Sequence, residues 1–283
     1  MTSSEKKSGL VEYCYRHKDS KLGCYVELIL DRPKSANSLS SELMVALTTS
    51  MKKWSQDSSC RALMLRGSGE HFCSGADLQW MQAASKMSLQ ENFHDAKRLT
   101  ELFVSFYEFP APTIVCVQGS AFGGAVGLVA CADIVLADER AQFCLSEAKL
   151  GLAPAVIFPY LARRFDTGAL RRLSLTSRIF GASDAQRWGL VDEVLSGTEH
   201  MQNAIDRELQ LILKCGPSAL RAIKILHRSL MDHSTVQQEK TAQLIAALRT
   251  SEEGQSGLSA FFSKNRAPWV PTETTLEGWS KQS

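Results

Sequence analysis

The sequence predicts an α/β protein in which a largely parallel sheet is followed by a helical C-terminal region. Short apolar runs with the composition of β-strands alternate with helical patterns through the first half of the chain. Strands separated by helices are typical of parallel β/α units. Beyond about residue 160 almost every pattern is helical. We expect an N-terminal extension over residues 1–21, a core over 22–200 and a helical region over 201–283.

Individual elements follow from local signals. Strands are expected over residues 25–30, 62–65, 113–117 and 133–136. One helix is expected from Ser41 to Trp54, because apolar residues recur there at helical spacing. Another begins at a capping box on Ser88 and stops before Pro110, and a second capping box is expected at Ser183. A further helix starts at Pro217.

Composition narrows the possible functions. The 283 residues are 44% hydrophobic and 22% charged with a formal charge of +2, as in an ordinary soluble globular protein. No Lys/Arg block suggests a nucleic-acid partner. The eight cysteines lack a CxxC spacing and the six histidines lack an HxxxH pair, so neither a zinc site nor a disulfide framework is expected. Without a signal core or an apolar run of about 20 residues, we expect a cytoplasmic protein, or a mature form whose leader was trimmed, and no membrane partner.

Three segments carry candidate chemistry. Residues 74–78 and 118–127 are turns rich in small residues, each between a predicted strand and a helix. Exposed main-chain amides in such turns can bind an oxygen. Taken alone, the first turn is more often a plain strand-to-helix turn that needs glycine, and close helix–sheet packing would also explain the glycines of the second. Neither turn has phosphate-loop or GxGxxG spacing. The third segment places Glu147 in an apolar run, where desolvation would raise its pKa, although such a carboxylate is more often ion-paired.

Taken in order, these segments resemble the crotonase (enoyl-CoA hydratase/isomerase) family. The main matching blocks are Gly75-Ala76-Asp77-Leu78, Gly119-x-Ala121-x-Gly123-Gly124, Cys131-x-Asp133-Ile134, Ala141-Gln142-Phe143-x-x-x-Glu147 and Gly151-x-x-Pro154. Further matches are Arg32-Pro33-Lys34-x-x-Asn37, Gly189-Leu190-Val191-Asp192 and Phe261-Phe262-x-Lys264. Each block is weak alone, but the ordered set, spanning roughly residues 22–270, is specific. The resemblance implies a spiral of ββα units, C-terminal helices that pack between subunits, and a homotrimer or dimer of trimers.

The resemblance also implies an acyl-CoA substrate, no metal or redox cofactor, and a set of site residues. The main-chain N–H groups of Ala76 and Gly124 would form an oxyanion hole beside the catalytic Glu147. The expected CoA-binding residues are Arg32, Lys34, Ala36, Ser74, Ala76, Asp77, Leu78 and Lys264. The expected walls of the acyl pocket are Trp80, Met81, Gly127, Val156 and Phe158. Lys149 could meet a carboxylate on the substrate, although no pattern places it in the pocket.

One position departs from the family's two-glutamate hydratases. Gly127 occupies the place of their first glutamate, 20 residues before Glu147. Residues 75–81, 123–128 and 143–156 most resemble bacterial methylglutaconyl-CoA hydratases, which implies hydration of a branched 2-enoyl-CoA and favours 3-methylglutaconyl-CoA. The alternatives are a Δ3-Δ2-enoyl-CoA isomerase, for which one glutamate suffices, a decarboxylase of a related acyl-CoA, and an acyl-CoA- or RNA-binding protein without turnover.

Overall fold

The protein alternates strands and helices and then continues as helices alone. A computed structural model describes residues 8–16, 23–213, 215–231 and 235–265. The strands are Leu10–Arg16 (β1), Cys24–Leu30 (β2), Cys60–Gly67 (β3), Thr113–Val117 (β4), Ser120–Phe122 (β5), Ile134–Asp138 (β6), Gln142–Cys144 (β7), Phe180–Gly181 (β8) and Glu193–Leu195 (β9). The helices are Ser41–Gln56 (α1), Leu78–Ala84 (α2), Leu89–Tyr107 (α3), Gly124–Cys131 (α4), Phe158–Arg164 (α5), Thr167–Thr176 (α6), Ala182–Arg187 (α7), Gly197–Leu213 (α8), Pro217–Met231 (α9), Thr235–Thr250 (α10) and Glu252–Phe262 (α11).

Two sheets organise the first part of the chain. The larger has the strand order β1-β2-β3-β4-β6-β9 and the smaller has the order β5-β7-β8. From β2 to β9 the neighbours in the larger sheet pair in parallel. The chain alternates between the sheets, since β4 is followed by β5 and β6 by β7. It therefore winds as a spiral of strand–strand–helix turns, and the segments that follow the parallel strands meet at one edge.

The N-terminal segment belongs in part to the sheet. Within the N-terminal extension expected over residues 1–21, Leu10–Arg16 forms β1 and pairs antiparallel with β2, from Leu10 opposite Leu30 to Arg16 opposite Cys24. This run contains the Val and Tyr residues that strands favour, so a local signal for the strand was present.

The two predicted capping boxes have different outcomes. At Ser88 the hydroxyl accepts from the Glu91 N–H and the Glu91 carboxylate accepts from the Ser88 N–H, which confirms the first box. The second prediction is wrong. Helix α7 starts at Ala182 after Gly181, with no side-chain cap. Strand β8 runs directly into α7 and leaves Gly181 extended, so Ser183 lies inside the helix.

The last helices return to the core of the same chain. Helix α10 packs along α3, and α11 packs against α2 and the 3-10 turn Glu147–Leu150. Helix α9 is held against the segments that precede β4 and β6. The Nζ of its Lys224 donates to the Ala111 carbonyl and to the Asp133 carboxylate. No helix in the ranges given above is both long and apolar enough to cross a bilayer.

Candidate active site

A cavity of about 1140 Å³ lies at the edge where the strand-to-helix turns meet. Its wall combines the turn before α2, the start of α4, the 3-10 turn Glu147–Leu150 and residues of α10 and α11. Apolar side chains such as Leu39, Met81 and Val156 form much of the surface. The size and the apolar wall with a few polar groups are those of a small-molecule site.

The two glycine-rich turns run side by side in register. Cys73 and Ala121 form a parallel bridge. Ala76 and Gly124 each lie three residues further along their segment, and both line the cavity. The parallel register therefore brings these two residues to the same level of the cavity wall.

Glycine at position 75 permits this close approach. Gly75 has a φ of 97°, which favours glycine, and a Cβ on it would lie 2.8 Å from the carbonyl oxygen of Phe122. The next glycine, Gly123, has a φ of 53°. A Cβ there would lie 3.4 Å from the Oε1 of Glu147 and 3.4 Å from the Oγ of Ser146. Larger residues would push the turns apart or crowd the carboxyl group.

The N–H groups of Ala76 and Gly124 have no hydrogen-bond acceptor among the residues that the structure describes. Ala76 is bridged to Leu39, but that bridge uses the Leu39 N–H, which donates to Gly75, and the Asp77 N–H, which donates to Leu39. Gly124 is the first residue of α4, where N–H groups lack an intrahelical acceptor. Two main-chain donors are thus available to an oxygen in the cavity, as an oxyanion hole requires.

Glu147 brings a carboxyl group next to these donors. Its Oε1 approaches Gly123, the residue before Gly124. Its Oε2 is fully buried and has no hydrogen-bond partner among the described residues. Burial raises the pKa of Glu147 to about 7, because the charged form loses its hydration. A carboxyl group with this pKa can both accept and donate a proton at neutral pH.

The structure leaves no room for a second carboxyl group at position 127. A Cβ on Gly127 would lie 2.3 Å from Ile157 Cγ2 and 3.0 Å from Phe103 Cε1. Ile157 lines the cavity, whereas Gly127 lies behind it. The prediction that Gly127 is a pocket wall is corrected accordingly, since Ile157 forms that part of the surface.

Arg32 lines the cavity and forms an ion pair with Asp77. Its Nη2 lies 2.9 Å from Asp77 Oδ2, and its Nη1 donates to the carbonyl of Ser38. Asp77 in turn caps α2 by accepting from the N–H groups of Gln79 and Trp80. Burial alone would raise the pKa of Asp77, but the hydrogen bond from Arg32 and those at the cap bring it below its usual value. Arg32 thereby fixes the helix that follows Ala76.

Most of the sequence-predicted site residues line this one cavity. Those that do are Arg32, Ser74, Ala76, Asp77, Leu78, Trp80, Met81, Gly124, Glu147, Lys149 and Val156. Outside its lining are Lys34, Ala36, Gly127, Phe158 and Lys264. Phe158 begins α5 with 41% of its surface exposed, so the prediction of a pocket wall there is also corrected. Lys34 lines a shallower neighbouring cavity, which shares Arg32 and Ser35 with the main one.

Several lining residues were missed by the sequence analysis. They are Ile157 and the C-terminal group Ile245, Arg249, Gly257, Leu258, Ala260, Phe261 and Asn265. An arginine in an amphipathic helix is normally taken as a surface residue. No local pattern indicates that α10 and α11 fold back over the site, so the sequence offered no signal for Arg249.

Two free main-chain donors beside a buried carboxyl group define an enzyme that stabilises an oxyanion and transfers a proton next to it. The family model described as enoyl-CoA hydratase/isomerase matches residues 24–271. A carnitinyl-CoA dehydratase of Proteus mirabilis (strain HI4320) is 30% identical over 257 residues, covering 87% of this chain and 95% of that protein. An enoyl-CoA hydratase of Alternaria alternata is 30% identical over 242 residues, covering 83% and 78% respectively.

A solved structure gives the same result. The crystal structure of an enoyl-CoA hydratase from Shewanella pealeana ATCC 700345 has a TM-score of 0.74 and 34% sequence identity, covering 95% of this chain and 100% of that one. The chain therefore belongs to the enoyl-CoA hydratase/isomerase family and has the crotonase fold. The family resemblance seen in the sequence is confirmed, whereas the closer likeness to methylglutaconyl-CoA hydratases stays a prediction.

The buried carboxyl group should make stability depend on pH. Because the pKa of Glu147 is about 7 in the folded protein and 4.5 ordinarily, the folded state holds this proton more tightly than the unfolded state. Ionisation then lowers the free energy of unfolding as pH rises from 4.5 through 7, by up to about 3 kcal/mol. In urea unfolding, the free energy of unfolding of Glu147→Gln minus that of the wild type should be larger at pH 8 than at pH 5, because only the wild type loses stability on ionisation. The same wild-type–variant difference at both pH values would contradict this.

The packing at position 127 gives a second prediction. Gly127→Ala should destabilise the fold by about 1–3 kcal/mol through overpacking, and Ile157→Ala by about 2–5 kcal/mol through a cavity. In the double variant the new methyl group occupies part of the space that Ile157 vacates. The double variant should therefore lose at least about 1 kcal/mol less unfolding free energy than the two single variants lose in total. Gly124→Ala is the control, since a Cβ there meets no atom closer than 3.5 Å. Additive losses in denaturant unfolding would refute the contact.

Proposed function

We propose that the protein catalyses the reversible hydration of a branched 2-enoyl-CoA and that 3-methylglutaconyl-CoA is its substrate. Family membership supports the coarser activity, that of an enoyl-CoA hydratase/isomerase. The observation that carries the proposal is the carboxyl group of Glu147, whose buried Oε2 has no hydrogen-bond partner among the described residues, beside the free N–H groups of Ala76 and Gly124.

In the proposed reaction the thioester oxygen accepts hydrogen bonds from the N–H groups of Ala76 and Gly124. These bonds strengthen as negative charge develops on that oxygen in the enolate. The Glu147 carboxylate takes a proton from a water molecule while the water oxygen bonds to C3. The same carboxyl group then returns the proton to C2, and the enolate collapses to the hydroxyacyl thioester. One group serves both steps because it ends in the state in which it began.

The substrate assignment rests on the residues that line the cavity around and after Glu147. Residues 143–156, which carry the likeness to methylglutaconyl-CoA hydratases, include Glu147 and the lining residues from Lys149 to Val156. The cavity also presents the cations Lys149 and Arg249, which suit a substrate with a second carboxylate. The Proteus mirabilis relative is named as a dehydratase of carnitinyl-CoA, which is water removal from a different acyl group.

The CoA portion is proposed to bind near Arg32, Lys34, Ala36 and Lys264. The support is positional, since the shallow cavity lined by residues 31–35 adjoins the main cavity through Arg32 and Ser35. Lys34 and Lys264 are exposed and can approach phosphate groups there. Asn265, the residue after Lys264, lines the main cavity.

A second candidate function is Δ3-Δ2-enoyl-CoA isomerisation, and the packing at Gly127 specifically favours it. One carboxyl group is enough to remove a proton from C2 of a 3-enoyl-CoA and deliver it to C4. Ile157 and Phe103 fill the space that the side chain of a second glutamate at 127 would need. Both reactions use the same two N–H donors and the same Glu147.

Turnover in heavy-oxygen water separates the two functions. With 3-methylglutaconyl-CoA we expect a hydroxyacyl product carrying one solvent oxygen by mass spectrometry, whereas isomerisation of a 3-enoyl-CoA incorporates none. Glu147→Gln should lower kcat by about 10²–10⁴-fold, because it removes the proton carrier. Glu101→Gln, which removes an exposed carboxylate on α3, is the matched control. Near wild-type turnover by Glu147→Gln would refute the assigned role.

We also infer that copies of the chain associate as a trimer or a dimer of trimers. Helix α9 places Ile223 and Leu226 at 58% and 62% exposure, with Ile225 equally exposed, although its inner residue Lys224 is buried. Several apolar side chains exposed on one helix are typical of a contact surface.

Light scattering tests this association. Ile223→Glu should shift the wild-type trimer or hexamer toward monomers, because it would bury an unpaired charge in the interface. Leu175→Glu is the control, since Leu175 is exposed by 73% on the separate helix α6. A wild-type monomer at all concentrations would overturn the inference.

A further inference from the structure

We propose that Arg249 binds an anionic group at the end of the acyl chain, so that the enzyme selects dicarboxylic acyl-CoA thioesters. The inference rests on the proposed function and names the residue that would determine its specificity. No local sequence pattern marks Arg249, and the residue reaches the site only because α10 packs back over the cavity.

Arg249 is a buried cation in an otherwise largely apolar part of the wall. It is 8% exposed and lines the cavity together with Ile245, Leu258 and Leu99. Placing a guanidinium group in such surroundings is unfavourable unless it is paired and hydrogen-bonded. The buried guanidinium group therefore requires compensating partners, which are supplied either by the protein alone or by the protein together with a ligand.

One partner is present and holds the group at one end. Arg249 Nη1 donates to Asp95 Oδ2 at 3.0 Å, and Trp80 Nε1 donates to the same oxygen at 3.0 Å. The guanidinium carbon also lies 5.0 Å from the centroid of the Trp80 ring. Asp95 and Trp80 thus fix the orientation of the guanidinium plane, and the Asp95 carboxylate balances its charge.

The pairing leaves most of the guanidinium donors unused. A guanidinium group has five N–H donors in a planar fork. Within the described ranges, the bond to Asp95 is the one hydrogen bond that this group donates. About 10% of the Arg249 side-chain surface is accessible, and Arg249 lines the cavity. A planar, partly unpaired fork is suited to a carboxylate.

Arg249 lines the same cavity as the residues of the proposed reaction centre. Trp80 lies in the first turn of α2, the helix capped by Asp77 immediately after Ala76. The group that orients Arg249 is therefore about one helical turn from an oxyanion-hole donor. A thioester held by Ala76 and Gly124 would direct a short acyl chain past Glu147 into a cavity that also contains Arg249.

Lys149 is the competing cation. It lines the same cavity two residues after Glu147, but it is exposed and has no fixed partner among the described residues. A flexible, hydrated ammonium group discriminates less sharply between acyl ends than an oriented guanidinium group. Arg249 is therefore the residue that we assign to the terminal anion.

Binding of two saturated thioesters tests this assignment separately from turnover. Glutaryl-CoA and pentanoyl-CoA have five acyl carbons each and differ in the terminal carboxylate, and neither can be hydrated. Calorimetry on the full chain should show about 10- to 100-fold tighter binding of glutaryl-CoA. The double variant Asp95→Asn/Arg249→Met should abolish this preference. It keeps an amide oxygen for Trp80 and leaves no unpaired charge, and thermal unfolding verifies that it folds.

Two further variants distinguish binding from a structural role. Asp95→Asn alone should increase the preference for glutaryl-CoA, because the guanidinium charge is no longer balanced. Lys149→Met should keep most of the preference. A wild type without preference, or a double variant that retains it, overturns the inference even if 2-enoyl-CoA thioesters are hydrated. A glutaryl-CoA preference that depends on Arg249 supports the inference even if hydration is not detected, in which case the proposed reaction alone fails.

Discussion

The site depends on two strand-to-helix turns that approach each other at backbone contact distance. Gly75 lies against the carbonyl of Phe122, and Gly123 lies against the carboxyl group of Glu147. A methyl group added at position 75 would push the two turns apart, and at position 123 the positive φ favours glycine. The spiral winding of the chain supplies the register, because the Cys73–Ala121 bridge sets Ala76 level with Gly124. Glycine and parallel pairing together therefore position the two free donors.

The C-terminal helices complete the site by covering it. Helix α11 packs on the 3-10 turn that carries Glu147, and α10 packs on α3, where Asp95 holds Arg249. This cover adds apolar wall around the carboxyl group, and a lower effective dielectric there would strengthen every hydrogen bond to a developing oxyanion. The same cover forces Arg249 into a buried position in which it requires partners.

The sequence predicted what local patterns encode. Strand 113–117 and the capping box at Ser88 are confirmed because apolar runs and capping residues act over a few positions. The box at Ser183 failed because β8, a tertiary feature, fixes where α7 begins. Ile157 and Arg249 could not be predicted, since each meets its partner, Gly127 or Asp95, only after residues far apart in the chain are brought together. The family blocks predicted the site through resemblance, beyond what periodicity shows.

The lone carboxyl group and its burial are physically connected. In a two-glutamate site, one group can remain a base while the other remains an acid, so neither needs a pKa near neutrality. Here Ile157 and Phe103 fill the space beside Gly127, so in the proposed hydration Glu147 would take and return the same proton. A group with both roles works best when its two protonation states are close in free energy at the working pH. The desolvation that brings the pKa of Glu147 to about 7 meets that condition, at a cost to stability when the group is ionised. Lower stability above neutral pH is therefore the expected consequence of burying the one side chain to which the proposed function assigns both proton transfers.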